Sequence, residues 1–152
     1  MDIYTVIRND HNKAKEVIAE IRALPDERHA ERMELFRPLM EDLIAHNEAE
    51  ENSFYVALRQ HSETKDDAKH SEKEHHEAKS KLEELDDDDL EPEEWREKFE
   101  EINKALMHHI SKEESKIFSE ARAVLSGPVA LKLAHEMQQL KKQKKSLLKK
   151  AG

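Results

Sequence analysis

Apolar positions recur at helical spacing almost from one end of this chain to the other. Ile3, Ile7, His11, Ala14, Val17 or Ile18, and Ile21 form one stripe, with Lys13, Lys15, Glu16 and Glu20 on the opposite side. This predicts a first helix capped by Asp2 and stopped near Leu24, before Pro25 and Asp26. A second helix is expected from about 27 to 60 on Leu35 or Phe36, Leu39, Leu43, His46, Glu50, Phe54 and Leu58, with Pro38 bending it or splitting off its first turns. The third, about 64 to 85, carries Ala68, His75, Ala78, Leu82 and Leu85. After the acidic turn Asp86 to Asp89, Pro92 at a first helical position and Glu93 and Glu94 behind it open a fourth helix. That helix runs to about Leu125 on Trp95, Phe99, Ile102, Leu106, His109, Glu113 and Ile117, and Ser126-Gly127-Pro128 ends it. A short fifth helix, about 129 to 148, is expected to cover the bundle through Leu131, Ala134 or His135, Leu140 and Leu147. Four long helices joined by short turns give an all-α, up-down-up-down four-helix bundle with a short additional C-terminal helix.

Composition supports this and narrows the function. The 152 residues are 40% charged and include two glycines and four prolines, which suits long helices and little else. With no cysteine, disulfides, thiolate metal sites and iron–sulfur clusters are excluded. The formal net charge of −9 is uneven: residues 131–152 carry seven lysines against one glutamate, so the preceding body is strongly acidic. Such a body argues against nucleic acid as a partner. The tail lacks the large aromatics that an interfacial helix often carries and reads as a solvated helix end, favourably placed for its dipole. No signal peptide or apolar run of membrane length interrupts the pattern, so the expected protein is soluble and cytoplasmic, with no membrane partner.

The chemistry lies where histidines and glutamates enter the apolar stripes. In Met40 to Phe54, His46 and Glu50 stand four residues apart, and the same spacing recurs in residues 102–118 as His109 and Glu113. Both pairs are flanked by inward apolar residues, so both point into the core. A buried imidazole beside a buried carboxylate is expensive unless something satisfies both, and a metal ion does so directly. His11 and His75 complete the pattern: each is followed by apolar residues at +3, +7 and +10, and they are 64 residues apart, while His46 and His109 are 63 apart. Two copies of one helix pair are implied, and this register selects His75 over His76 and His109 over His108. His11, His46, Glu50, His75, His109 and Glu113 are therefore candidate metal ligands, a nitrogen-rich set suited to two borderline metals, with the two glutamates able to bridge them. Glu51, Glu114, Asn47, Asn103, His76 and His108 are assigned to the surface, with a role behind the ligands as the alternative. His29, His61, His70 and His135 fall outside the pattern and are also assigned to the surface.

Asp10-His11, His46xxxGlu50, His75 and His109xxxGlu113 followed by Glu114 and Ile117-Phe118 resemble the hemerythrin-like family of HHE cation-binding domains. The resemblance implies a hemerythrin-like bundle over residues 1–125, with 126–152 as a basic helix packed on it or extending from it. It further implies a non-haem di-iron centre, oxo- or hydroxo-bridged, with zinc or another divalent metal as a substitute on purification. Such a centre would bind O2, peroxide or nitric oxide, or sense iron or oxidants, and an electron-transfer partner and a homodimer are compatible with it. Oxygen-carrying hemerythrins are similar but have a further histidine four residues after the one on the third helix, where this chain has Lys79. The ligand set is more similar to the bacterial and regulatory members. Two other classes stay open: a di-iron oxidase or peroxidase-like enzyme, and a structural or interaction bundle stapled by its metal.

Overall fold

A computed structural model describes residues 1–151 and contains helices and turns alone. The helices are α1 (Ile3–Ala23), α2 (His29–Glu51), α3 (Phe54–Arg59), α4 (Lys65–Leu85), α5 (Pro92–Lys112), α6 (Phe118–Val124) and α7 (Gly127–Ala151). Helices α1, α2 with α3, α4, and α5 with α6 are the four legs of the bundle, and α7 lies along α1 and α2. Among the described residues no helix is long and apolar enough to cross a membrane.

The helix ends follow from local chemistry. Asp2 accepts a hydrogen bond from the Thr5 backbone N–H (3.0 Å), which satisfies one free donor of the first turn. Leu24 is extended ahead of Pro25, and a single tight turn, Asp26–Arg28, leads into α2. Pro92 occupies the start of α5. The acidic turn after α4 holds Arg37, whose guanidinium pairs with Asp86 (2.8 Å) and Asp88 (2.7 Å).

Four expectations are corrected. Pro38 splits no turns off α2, which runs through it to Glu51, and the leg breaks at Asn52–Ser53, just after Glu50. The fourth leg is interrupted by a wide π-turn, Glu113–Ile117. A break in this register lets neighbouring residues both face inward, and Phe54 with Tyr55 and Ile117 with Phe118 are all buried. In α7 the inward face is Ala130, Leu133, Ala134 and Met137, while Leu131, Leu147 and His135 are exposed. The lysine-rich tail is also no solvated end: Lys141 pairs with Asp10, Lys144 with Glu48 and Lys145 with Asp42, at 2.7, 3.0 and 2.9 Å. Acidic residues on α1 and α2 draw the basic helix onto the bundle, and its small apolar residues let it pack closely.

Two apolar clusters fill the interior. One joins Ile3, Tyr4, Ile7, Phe54, Tyr55, Leu58, Ile117 and Phe118 to the inner face of α7. The other joins Ile18, Ile21, Phe36, Leu39, Leu82, Leu85, Trp95 and Phe99. Trp95 stacks on Phe99 with ring centroids 5.0 Å apart and donates its indole N–H to the Leu85 carbonyl (2.9 Å). Arg32, wholly buried, lies over the Trp95 ring and bonds Asp26 and the Pro92 carbonyl. Between the clusters, on all four legs, stand His11, His46, His75 and His109.

The inward face of α7 is tested by a pair of substitutions. Met137→Ala, at a fully buried position, should cost about 2–5 kcal/mol of unfolding free energy in urea. Leu131→Ala, at a residue 54% exposed, should change it by no more than about 0.5 kcal/mol.

Candidate metal centre

The six side chains singled out by the repeat meet in one layer. His11, His46 and Glu113 each place a ligand atom within 4.8 Å of the others, and Glu50, His75 and His109 do the same. All six are buried, Glu50 and Glu113 completely. Each carboxylate spans the two triads. Glu113 lies 3.2 Å from His11 Nε2 through one oxygen and 3.9 Å from His109 Nε2 through the other. Glu50 lies 3.3 Å from His75 Nε2 and 3.6 Å from His46 Nε2 in the same way. The Nε2 atoms of His75 and His109 are themselves 3.2 Å apart.

Every imidazole turns Nε2 to this layer and Nδ1 to an outer acid. His46 donates Nδ1–H to Asp10 (2.8 Å), His109 to Glu74 (2.9 Å) and His11 to Glu114 (2.7 Å). His75 faces Glu51 at 3.4 Å. A carboxylate can only accept, so in His46, His109 and His11 a proton sits on Nδ1, and Nε2 is the atom each ring turns inward. The repeat extends to these acids: Asp10 and Glu74 precede His11 and His75, and Glu51 and Glu114 follow the two HxxxE glutamates. Glu51 and Glu114 therefore stand behind imidazoles rather than at an indifferent surface. Asp10 and Glu74 could have been assigned this part from their equal offset, since the residue before each inward histidine is an acid. His76 and His108 are exposed. Asn103 is buried away from any imidazole bond, and Asn47 lines a small cavity beside His75 and His109.

Tyr55 gave no sequence signal, being one more aromatic beside Phe54. It is wholly buried, donates its hydroxyl to Glu113 and stacks on the His75 ring at 5.5 Å. Burial and the Glu113 and Glu50 carboxylates raise its phenol well above the usual range. Lys79 lies away from the layer, half exposed, with its ammonium 3.6 Å from Glu48.

Charge balance dominates the electrostatics. Burial opposes the charged form of His75, but the Glu50 and Glu51 carboxylates overcome it and lift the imidazole to about 9. His11 is raised for the same reason by Glu113, Glu50 and Glu114. Burial would raise Glu113, yet His11, His109 and the Tyr55 hydroxyl hold it well below the carboxylate range. Burial is likewise outweighed at Asp10, which His46 and Lys141 hold at about 2.

Neither oxygen of Glu50, nor one of the Glu113 oxygens, has a well-formed hydrogen bond. Buried, unpaired carboxylate atoms among convergent Nε2 atoms are what a pair of metal ions would satisfy, so the donor set fits a di-metal centre. Residues 2–121 match the model of the hemerythrin HHE cation binding domain. The chain belongs to that family. Among curated proteins, one described as a DNA nickase, from Nostoc sp., is 31% identical to this hemerythrin-family chain over 126 residues, 83% of its length. The chain spans only about a third of that relative, 35% of its length. No solved structure matches.

The imidazole charges give a pH prediction for the metal-free protein. His75 rises from 6.5 to about 9 on folding, so its contribution to stability is full below pH 6.5 and is lost as pH rises through 9. Thermal scans in the presence of chelator should show the melting temperature falling across that interval. A flat profile would contradict the charge assignment.

Proposed function

We propose that His11, His46 and Glu113 hold one iron ion, that Glu50, His75 and His109 hold a second, and that the pair binds O2 or a related small molecule such as peroxide or nitric oxide. The observation carrying this reading is the reach of each buried carboxylate into both triads, which gives two ions shared bridging ligands. When bound, a ferrous pair supplies electrons to an oxidising ligand and an open position at which to hold it.

The chain's own residues select the ligand and support its chemistry. A cavity of about 100 Å³ beside His75 and His109 admits a few atoms, with Ala78, Ile102 and Leu106 as apolar walls and Asn47, Glu74, Glu77 and Lys81 as polar ones. Lys79 brings no imidazole to this side, so the second ion would have fewer nitrogen donors than in an oxygen carrier. That favours sensing of oxidants or iron over reversible oxygen storage. Asp10, Glu74 and Glu114, hydrogen-bonded to His46, His109 and His11, fix the orientation of those rings and strengthen them as donors. One observation favours turnover as an oxidase or peroxidase-like enzyme instead: the Tyr55 phenol, already bonded to Glu113, is an oxidisable proton source at the centre. DNA nicking is the description of a relative that this chain matches in part, and the formal net charge of −9 disfavours a phosphate backbone as partner.

Metal analysis of protein purified without added metal, with optical spectra before and after reduction in air, tests the reading. Two irons per chain and near-ultraviolet bands that bleach on reduction and return with O2 are expected. His46→Ala and His109→Ala should each lose at least one metal while remaining helical by circular dichroism. A single zinc per chain, or two irons with a spectrum indifferent to reductant and O2, would overturn it.

A further inference from the structure

Behind the four acids stands a further layer, and it is not symmetric. Glu114 faces Arg8 at 3.4 Å, and Glu74 and Glu51 face His70 and His76, each at 3.7 Å. Asp10 alone has both oxygens engaged by one cation, the Lys141 ammonium at 2.7 and 2.8 Å. Lys141 belongs to α7, which lies beyond the residues matched by the family and has no counterpart in the second half of the repeat.

Asp10 has little else to hold it. A cavity of about 130 Å³ opens beside it, lined among others by Lys13, Val17, Leu39 and Lys145, so its carboxylate has room to swing and a second ammonium toward which to do so. Its position on His46 therefore depends on hydrogen bonds rather than on packing. One is the His46 Nδ1–H and the rest come from Lys141. The helix bearing Lys141 is fixed by Ala130, Leu133, Ala134 and Met137 and by the Lys144–Glu48 and Lys145–Asp42 pairs, so the ammonium is delivered from a rigid support.

We propose that α7 is a working part of the metal centre, with Lys141 a positioning residue that locks Asp10 and, through it, the His46 ring, so that α7 sets the affinity of the His11/His46/Glu113 half. This rests on the reading of His46 as a ligand. Removing Lys141 frees Asp10 into the cavity, loosens the His46 ring and weakens one metal position of the two. The His75/His109 half, whose acids α7 does not reach, keeps its affinity.

The test compares Lys141→Met with Lys141→Arg and with Lys142→Met, the last removing an equal charge from an exposed lysine next to it. Metal-free protein is titrated with Co2+ or anaerobic Fe2+, and in a metal-free sample the His46 Nδ1–H is observed by NMR beside that of His109. In Lys141→Met, one of two equivalents should bind roughly ten- to a hundredfold more weakly, and the His46 Nδ1–H signal should exchange away while that of His109 persists. Lys141→Arg should restore both and Lys142→Met should change neither. In an Asp10→Asn background Lys141→Met should have no further effect. Equal behaviour of Lys141→Met and Lys142→Met in either measurement overturns the proposal, as does equal weakening of both equivalents. Failure of the wild-type protein to bind two metals is a failure of the metal-centre reading itself, visible before any variant is made, and takes this proposal with it.

Discussion

Everything in this molecule is arranged around a polar layer that an apolar bundle would ordinarily not contain. Four imidazoles and two fully buried carboxylates lie between two apolar clusters, and the oxygens of Glu50 are left without well-formed hydrogen bonds. Stripping water from an unpaired carboxylate costs several kcal/mol, so such a layer persists only if its charges are balanced. In the absence of metal the charged forms of His75 and His11 contribute to this balance, favoured by the carboxylates that lift His75 to about 9 and raise His11. Two cations would do it better, because they use the carboxylate oxygens and the Nε2 lone pairs together.

The layer also explains the irregular helices. Both HxxxE pairs end at a disturbance, the break at Asn52–Ser53 in one leg and the π-turn Glu113–Ile117 in the other. Each disturbance turns two successive aromatic or aliphatic side chains inward, sealing the layer from the end of the bundle. It also brings Tyr55 onto Glu113, a contact that its counterpart in the repeat, Phe118, lacks the hydroxyl to make. The duplication thus governs the inward histidines and glutamates, the outer acids and the backbone alike. The departures from it, Tyr55 on one side and Lys141 on another, make the two halves unequal.

Much of this was readable in the residues, for physical reasons that also mark where reading stops. A doubled histidine pattern at offsets of 64 and 63 survives any uncertainty about helix ends, because inward-facing registers repeat whatever the boundaries are. The breaks after Glu50 and Glu113 did not show, since the apolar stripe runs on through Phe54 and Leu58, and through Ile117, as if the helices were continuous. Glu74 was one acid among 35 acidic residues and could be told from a solvated one only by the repeat. The face of α7 is legible only in part: Ala134 and Leu140 do meet the core, but its apolar residues are spread around the helix, so that Leu131 and Leu133 are equally good candidates until the acidic residues on α1 and α2 fix which lysines face the bundle.

The central claim is that the two triads are two metal positions in one layer. An anomalous-difference map, recorded at the iron edge from crystals of the protein as isolated from cells, addresses it directly. The account predicts two peaks, one among His11, His46 and Glu113 and one among Glu50, His75 and His109. A single peak in the layer, or peaks confined to surface carboxylates with the layer empty, would contradict it.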